Sequence, residues 1–425
     1  MAVAALTLAT LAPSGPGLAR EPQSADASAR PPTQFDAPAY IARVDGEATL
    51  QRDGRVEISP LNMPLLSGDR LRTSNGRVEV QYADGARLVL DTNTAVDLLA
   101  DDLLRLADGR VRLDIRRTSG AQVSYRVDSA AGSAHIAQPG EYRIALLRGA
   151  PAAPDAVSPA LQLELAVTSG GGEISTEQGA TAVRAGERAY ASAGLLPSYT
   201  YAYNSAIADD FDHWVDQQDA VVYPSTSASV QYLPSDLSGY ASTFDQYGDW
   251  QYQQTYGYVW YPRVATDWHP YYHGTWASYP AYGWTWITAD PFGYPTHHYG
   301  RWGVSGGQWF WIPATHWGPA YVSWAAAPGY VSWCPLGRND HAVSSLGLYN
   351  VGPSYYAGHY GSRYASAWTT VTDGSFRRGN APAHVMNWDR GASGVRPHFS
   401  ESAAPAGGSP AIARGTAASP IRSAG

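Results

Sequence analysis

Twelve of the fifteen tryptophans lie between Trp250 and Trp333, and they recur at a nearly fixed spacing. "YVWYP" (258–262), "WTWIT" (284–288) and "WFWIP" (309–313) place their second indole at Trp260, Trp286 and Trp311, steps of 26 and 25 residues. "HGTW" (273–276) returns as "YGRW" (299–302), again 26 residues on. A constant period of this length marks repeated supersecondary units. Within a unit, Trp284 and Trp286, or Trp309 and Trp311, stand two apart and so share one face of a strand. "TWASYPAYGWTW" and "RWGVSGGQWFW" each read as strand, Pro/Gly-rich turn, strand. Such hairpins are expected to set Trp276 near Trp284 and Trp302 near Trp309 as cross-strand pairs. One hairpin is marginal in water, whereas a stack in which each indole buries ~150–250 Å² can form a core without long aliphatic strands.

The aromatic supply exceeds what so small a core needs. Tyr271, Tyr272, Tyr279, Tyr282, Tyr294 and Tyr299 are interleaved with the indoles. Three readings follow: structural core, a face that stacks on carbohydrate or another envelope polymer, and a docking face for protein. The candidate ligand-binding surface comprises Trp276, Trp284, Trp286, Trp302, Trp309, Trp311, Tyr272 and Tyr299. Five histidines (His269, His273, His297, His298, His316) share the region, but no spacing sets three on one strand face, and His273 aligns with Tyr299 in the repeat. Packing explains that exchange better than metal ligation does, so no metal is expected. The chain contains no GxxxxGK loop, no HExxH, and no GxSxG between a strand and a helix. Two carboxylates beside the indoles, Asp267 and Asp290, are the candidates for a glycosidase-like site. The expectation is a protein without catalytic activity or cofactor.

Upstream the grammar is different. From Tyr40 to Ser192 short runs alternate apolar and polar residues, punctuated by Asp45-Gly46, Asp53-Gly54, Asp84-Gly85 and Asp108-Gly109. Asp-Gly between alternating runs is the favoured two-residue hairpin turn, which predicts an antiparallel meander or sandwich. "LLSGDRLRT" (65–73) is echoed by "VRAGERAYA" (183–191), suggesting a related edge at each end of the β-layer. "SAIADDFDHWVDQQDAVV" (205–222) is the one helix, with Ile207, Phe211, Trp214 and Val215 on its apolar stripe. Asp209, Asp210 and Asp212 suit its positive N-terminal end and are expected to be solvated.

Charge and cysteine usage exclude several classes. Between Arg188 and Arg263 there are eight Asp and no Arg or Glu, and all the basic residues of the chain are Arg. With a net charge of −8 the chain lacks the basic density that a nucleic-acid surface requires. The single cysteine, Cys334, rules out an intrachain disulfide and reads as a small buried apolar residue. "MAVAALTLATLAPSGPGLAR" carries an apolar run and small residues (Gly17, Ala19) at signal-peptidase positions, so an export signal is expected. No later run reaches the ~18–20 apolar residues of a membrane span.

Two resemblances rest on these motifs. Gly68 to Thr73, Asp84 to Leu90, Leu106 to Ile115, Pro139 to Ile144 and Val183 to Glu187 together resemble the FecR periplasmic domain over residues 40–190. That resemblance implies a β-rich envelope module that signals or binds through protein contact. Gly239 to Pro262, Tyr282 to Trp302, "WFWIP" and Gly329 to Gly337 are similar to a Trp-rich domain of unknown function, found after FecR-like modules in exported bacterial proteins. The expected organisation is a signal (1–19), a linker (20–38), a FecR-like β-domain (39–195) and a helical, acidic connector (196–249). A Trp-rich β-repeat domain (250–347) and a largely disordered, low-complexity tail (348–425) complete it. The expected role is an exported periplasmic or secreted scaffold or protein-interaction module, with polysaccharide or peptidoglycan binding as the alternative. The partner is accordingly an envelope protein or polysaccharide, without nucleic acid and without a membrane span in the mature chain.

Overall fold

A computed structural model describes residues 37–58, 60–115, 124–151, 159–222, 227–351, 367–378 and 397–406. The expected export signal and most of the linker lie outside these residues. The fold is mainly β, as the alternation and the Trp repeat predict.

Sixteen strands form the N-terminal part. They are β1 (Tyr40–Asp45), β2 (Ala48–Arg52), β3 (Arg55–Glu57), β4 (Arg70–Thr73), β5 (Arg77–Gln81), β6 (Arg87–Leu90), β7 (Ala95–Ala100) and β8 (Leu103–Ile115). β9 (Tyr125–Asp128), β10 (Ser133–Ile136), β11 (Gly140–Pro151), β12 (Pro159–Ser169), β13 (Gly171–Thr176), β14 (Gly179–Arg184), β15 (Glu187–Ala191) and β16 (Tyr201–Ala202) follow. They pair as two layers, β1-β5-β6-β8-β11-β12-β15-β16 and β3-β2-β4-β7-β8-β9-β10-β13-β14, with β8 running through both. All pairings are antiparallel except β8 with β9.

The Asp-Gly signals resolve into three different devices. Asp53-Gly54 and Asp84-Gly85 close hairpins, β2–β3 and β5–β6. Asp45-Gly46 turns the chain from one layer into the other, because β1 pairs with β5 and β2 with β4. Asp108-Gly109 is not a turn at all. It is a bulge inside β8, where the register against β7 slips. Gly109 has φ +77°, and a Cβ there would meet Thr94 Oγ1 at 2.3 Å. The extra residue flips the side-chain parity: Leu104 and Leu106 point into the core before the bulge, Val111, Leu113 and Ile115 after it. A single long strand can thus change layers and keep facing one core.

The echoed motifs are alike locally but are not edges. In each, the acid closes its own turn: Asp69 Oδ2 accepts the Leu66 amide at 2.8 Å, and Glu187 Oε2 the Arg184 amide at 2.9 Å. Yet β4 lies between β2 and β7, and β15 between β12 and β16. The buried Asp69 also receives two bonds from the Arg52 guanidinium, at 2.7 and 2.5 Å.

Helix α1 (Asp210–Val222) starts later than its periodicity suggests, because Asp209 Oδ1 accepts the amides of Phe211 (3.0 Å) and Asp212 (3.1 Å) and caps it. Ile207 therefore falls outside the helix and is exposed. The acidic face is not simply solvated. Alternation in β5, β6, β8 and β11 turns Arg77, Arg87, Arg110, Arg112 and Arg143 outward, and α1 lies over them. Arg143 bonds Asp209 and Asp212, each at 2.5 Å. Arg110 meets Asp209 at 2.6 Å, Arg112 meets Asp216 at 3.2 Å, and Arg87 pairs with Asp219. Phe211 and Val215 close on Val89 beneath.

The C-terminal part is built from four hairpins: β17–β18 (Gly248–Gln253, Gly257–Pro262), β19–β20 (Gly274–Tyr279, Gly283–Thr288), β21–β22 (Arg301–Ser305, Gln308–Ile312) and β23–β24 (Val322–Ala327, Tyr330–Pro335). The first and third join through β18 and β22, and the fourth is flanked by β25 (Thr369–Thr372) and β26 (Ser400–Ser402). The expected disordered tail is thus structured in part: Trp368, Phe376 and Phe399 insert into the aromatic core. Isolated aromatics in a polar stretch leave no periodic trace, which is why composition alone points the other way.

Candidate functional site

Each hairpin sets one tryptophan directly across from another: Trp250 opposite Trp260, Trp276 opposite Trp286, Trp302 opposite Trp311, and Trp324 opposite Trp333. The register thus differs by two residues from the expected Trp276/Trp284 and Trp302/Trp309 pairs; Trp284 faces Ser278 and Trp309 faces Val304. A glycine two residues before the first indole decides the matter. A Cβ on Gly248 would lie 2.3 Å from the Trp260 ring, one on Gly274 2.5 Å from Trp286, and one on Gly300 2.7 Å from Trp311. The second indole of each hairpin lies over that glycine. In the fourth hairpin Val322 takes the glycine's place.

These rings form the core rather than an exposed face. Trp276, Trp284, Trp286, Trp302, Trp309, Trp311 and Tyr299 are all buried, and only Tyr272 of the eight candidates is partly open. The centre is a mesh of edge-on, tilted and stacked contacts, with Trp276–Trp286 at 5.2 Å, Trp276–Trp324 at 4.6 Å and Phe244–Trp311 at 4.9 Å between ring centres. Three fully buried indoles find carbonyls: Trp260 donates to Phe244 O at 3.0 Å, Trp311 to Tyr299 O at 2.7 Å and Trp333 to Tyr271 O at 2.9 Å.

Several polar side chains of this core are tied into its hydrogen bonds. His297 donates from Nδ1 to Gly293 O (2.8 Å), and its Nε2 accepts the Tyr271 amide (3.1 Å), which fixes the neutral tautomer. Burial pushes His269, His297 and His298 down to about 4, so all three are uncharged at neutral pH. His273 is different: its hydrogen bond to Asp290 (3.3 Å) raises it. The buried Asp290 also accepts Trp268 Nε1 at 3.1 Å, so both oxygens of this glycosidase candidate are engaged, while Asp267 stays exposed. Burial raises the Cys334 thiol to about 12, well away from a reactive thiolate. Among the described residues no group of three or more His, Cys, Asp or Glu is placed to hold a metal ion.

The open aromatics lie elsewhere. On the first hairpin Tyr252 and Tyr258 stand opposite each other, 68% and 49% exposed, with their rings edge to face at 5.5 Å. Tyr232, from the preceding 3-10 turn, packs on Tyr258 at 4.6 Å and on Trp250 at 5.3 Å. The repeat held a signal for them: the corresponding pairs are Ser278/Trp284 and Val304/Trp309, one small and one buried residue each. A second open group, Leu195, Leu196, Tyr199 and Tyr201, follows β15.

The sequence profile described as FecR protein matches residues 69–152, and that of a Family of unknown function (DUF6600) matches residues 241–340. No curated protein matches. Two crystal structures of a candidate anti-sigma factor from Parabacteroides distasonis, at 1.65 and 2.50 Å, are similar at 12% identity, with TM-scores of 0.25 and 0.24. The first alignment covers 34% of this chain and 64% of that one, the second 31% and 58%. The chain thus carries a FecR-like stretch followed by a DUF6600-like stretch, in the order that its motifs predict.

Proposed function

We propose that this protein is a non-enzymatic scaffold or interaction module of the bacterial cell envelope, periplasmic or secreted, with a regulatory or signalling role. The observation that carries the reading is the hairpin β19–β20. One face, with Trp276, Trp284 and Trp286, belongs to the aromatic core, and the other, with Ala277, Tyr279 and Ile287, belongs to the sandwich core. Asn62 Nδ2 donates to Thr288 O at 2.9 Å, the Arg52 guanidinium lies 4.9 Å from the Tyr279 ring centre, and Tyr40 stacks on Tyr294 at 3.4 Å. Two modules locked this way present one rigid surface, which suits recognition between macromolecules. Asp290 and His297 of the aromatic core are held in structural bonds, which accords with a role other than catalysis. The FecR-like stretch supports regulation or signalling, and no helix among the described residues is long and apolar enough to cross a membrane.

Fractionation of producing cells, N-terminal sequencing and in-cell crosslinking test the reading together. Recovery from the periplasm or medium, a mature end at Arg20 and a discrete crosslinked complex support it. An intact N-terminus in the cytoplasm, or a chain that forms no complex in the envelope, overturns it.

A further inference from the structure

We infer that the C-terminal half of α1 is a proton-gated latch, which closes on the sheet with the uptake of a proton and eases as that proton leaves. The two ends of the helix meet differently balanced charges. Toward its start, Asp91, Asp209 and Asp212 face Arg77, Arg110 and Arg143, three carboxylates against three guanidiniums. Toward its end, Glu79, Asp114, Glu141, Asp216 and Asp219 face Arg43, Arg87 and Arg112, five against three.

The surplus lies where water cannot relieve it. Arg87 is held by Asp114 at 2.7 Å and paired with Asp219 from the helix, and the side chains of Arg87, Glu79 and Asp114 are 2%, 4% and 6% exposed. Glu79 is the least satisfied of them. Its Oε2 lies 3.8 Å from Arg87 and 3.9 Å from Arg43, too far for a hydrogen bond to either. Among the described residues that oxygen has no hydrogen-bond partner. The short helix α2 (Ala241–Tyr247), packed beside α1, brings no cation: its charged residue is Asp245, which Ser227 and Ser229 hold. His213 of α1 is exposed.

A carboxyl in such a place keeps its proton to higher pH than it would in water. Burial raises Glu79 against the attraction of Arg87 and Arg43, and repulsion from Asp219 and Asp114 adds to the rise. Burial likewise raises Asp219 and Glu141. At the other end burial of Asp209 is outweighed by its bonds from Arg143 and the Asp212 amide, which hold it low. Lifting the end of α1 returns Glu79 and Asp219 to water, so the closed state binds more protons than the open one. Closure is therefore strongest in acid and weakens as pH rises through the raised values. For one proton the opening equilibrium grows by up to about tenfold per pH unit. The start of the helix, with Asp209 ionised throughout, keeps its hold over the same range. Opening the end uncovers Arg87 and Arg112 on the outer face of the sandwich.

The test is amide hydrogen exchange of the full chain between about pH 5 and pH 8, each rate corrected for its intrinsic pH dependence. Protection of residues 216–222 is expected to fall threefold or more across that range, while residues 210–214 and the sandwich amides stay level. Glu79→Gln, which keeps the shape and removes the titration, is expected to flatten the fall, with Asp219→Asn as the second variant. His213→Gln is expected to leave it unchanged. Carbon-13 carboxyl shifts of the unaltered chain give an independent reading, in which Glu79 titrates above the ordinary glutamate range. The inference is overturned if the two ends of α1 change together, or if protection at the C-terminal end is level or rises with pH. It is equally overturned if the fall persists in both carboxyl variants, if it vanishes in His213→Gln, or if Glu79 titrates as an ordinary glutamate.

Discussion

Replacing Gly274 by Ala tests whether the glycine before each tryptophan pair sets the hairpin geometry. The new Cβ would lie 2.4 Å from Ile287 O and 2.5 Å from Trp286 Cζ2, both below any real contact. Ile287 O is backbone of the ladder opposite Thr275, and Trp286 is wedged against Trp276 at 5.2 Å and Tyr271 at 5.8 Å. Neither can yield by a rotamer change alone. Overpacking of this kind costs about 1–3 kcal/mol, and a strained or lost ladder bond adds about 1. Alanine in a strand returns about 0.5–1 relative to glycine. The net is a loss of about 1–3.5 kcal/mol, or a melting temperature lower by roughly 2–14 °C. Gly239, with open space around its Cβ position, is the control, and its alanine variant should stay within about 0.5 kcal/mol of wild type. Urea unfolding followed by near-ultraviolet circular dichroism, which reports on the indoles, measures both. If the two variants unfold together at the wild-type midpoint, the close approach of glycine and indole does not determine the fold.

Three further outcomes follow from the same geometry. Burial holds His269, His297 and His298 at about 4 against an ordinary 6.5, so the unfolded chain binds protons first and stability falls as pH drops from about 6.5 toward 4. Each contributes up to roughly 3 kcal/mol, with His273 acting in the opposite sense, and a urea midpoint unchanged between pH 7 and pH 4.5 would contradict this. Burial raises the Asp209 carboxyl, but the Arg143 hydrogen bond, the Asp212 amide and the two guanidinium charges outweigh it and hold the group low. Asp209→Asn should cost about 1 kcal/mol, given its partial exposure, and speed hydrogen exchange in α1 while leaving the sandwich amides protected. Phe376→Ala removes a buried ring that lies 4.5 Å from Trp284 and 6.1 Å from Trp333. It should lower stability by about 3–5 kcal/mol, and a near-silent variant would show that the segment 367–378 is only draped on the core.

The period of the Trp repeat was legible because indoles two apart and 25 or 26 apart can serve only a strand array. Its register was not, since Trp284 and Trp286 on one face offered two partners for Trp276. The glycines of "YGDW" (247–250), "HGTW" and "YGRW" decide between them, and their role shows only when a Cβ is placed against the opposite ring. The fourth hairpin falls outside the period because its indoles follow those of the third by 22 residues and Val322 replaces the glycine. The acidic helix was plain in sequence but its arginine partners were not: Arg143 and Arg112 lie 66 and 104 residues from Asp209 and Asp216. Alternation places an arginine on the outer face without saying what covers it. The open tyrosines were hidden for a related reason, since burial depends on neighbouring segments that the repeat does not encode.

The merging of the two cores constrains how such a protein could carry a signal. Separate domains on a linker would communicate by changing their mutual angle, and composition suggested such a boundary between residues 196 and 249. A hinge there would have to withdraw Tyr279 and Ile287 from the sandwich core and break the Asn62–Thr288 bond and the Tyr40–Tyr294 stack. Exposing two large buried side chains costs about 1.5–3 kcal/mol each, and a bond to a buried amide about 1 more. Such an opening is too costly to be appreciably populated without a partner that recovers it. A signal would therefore pass through the rigid stack itself, as a change in what the whole body binds rather than in its shape.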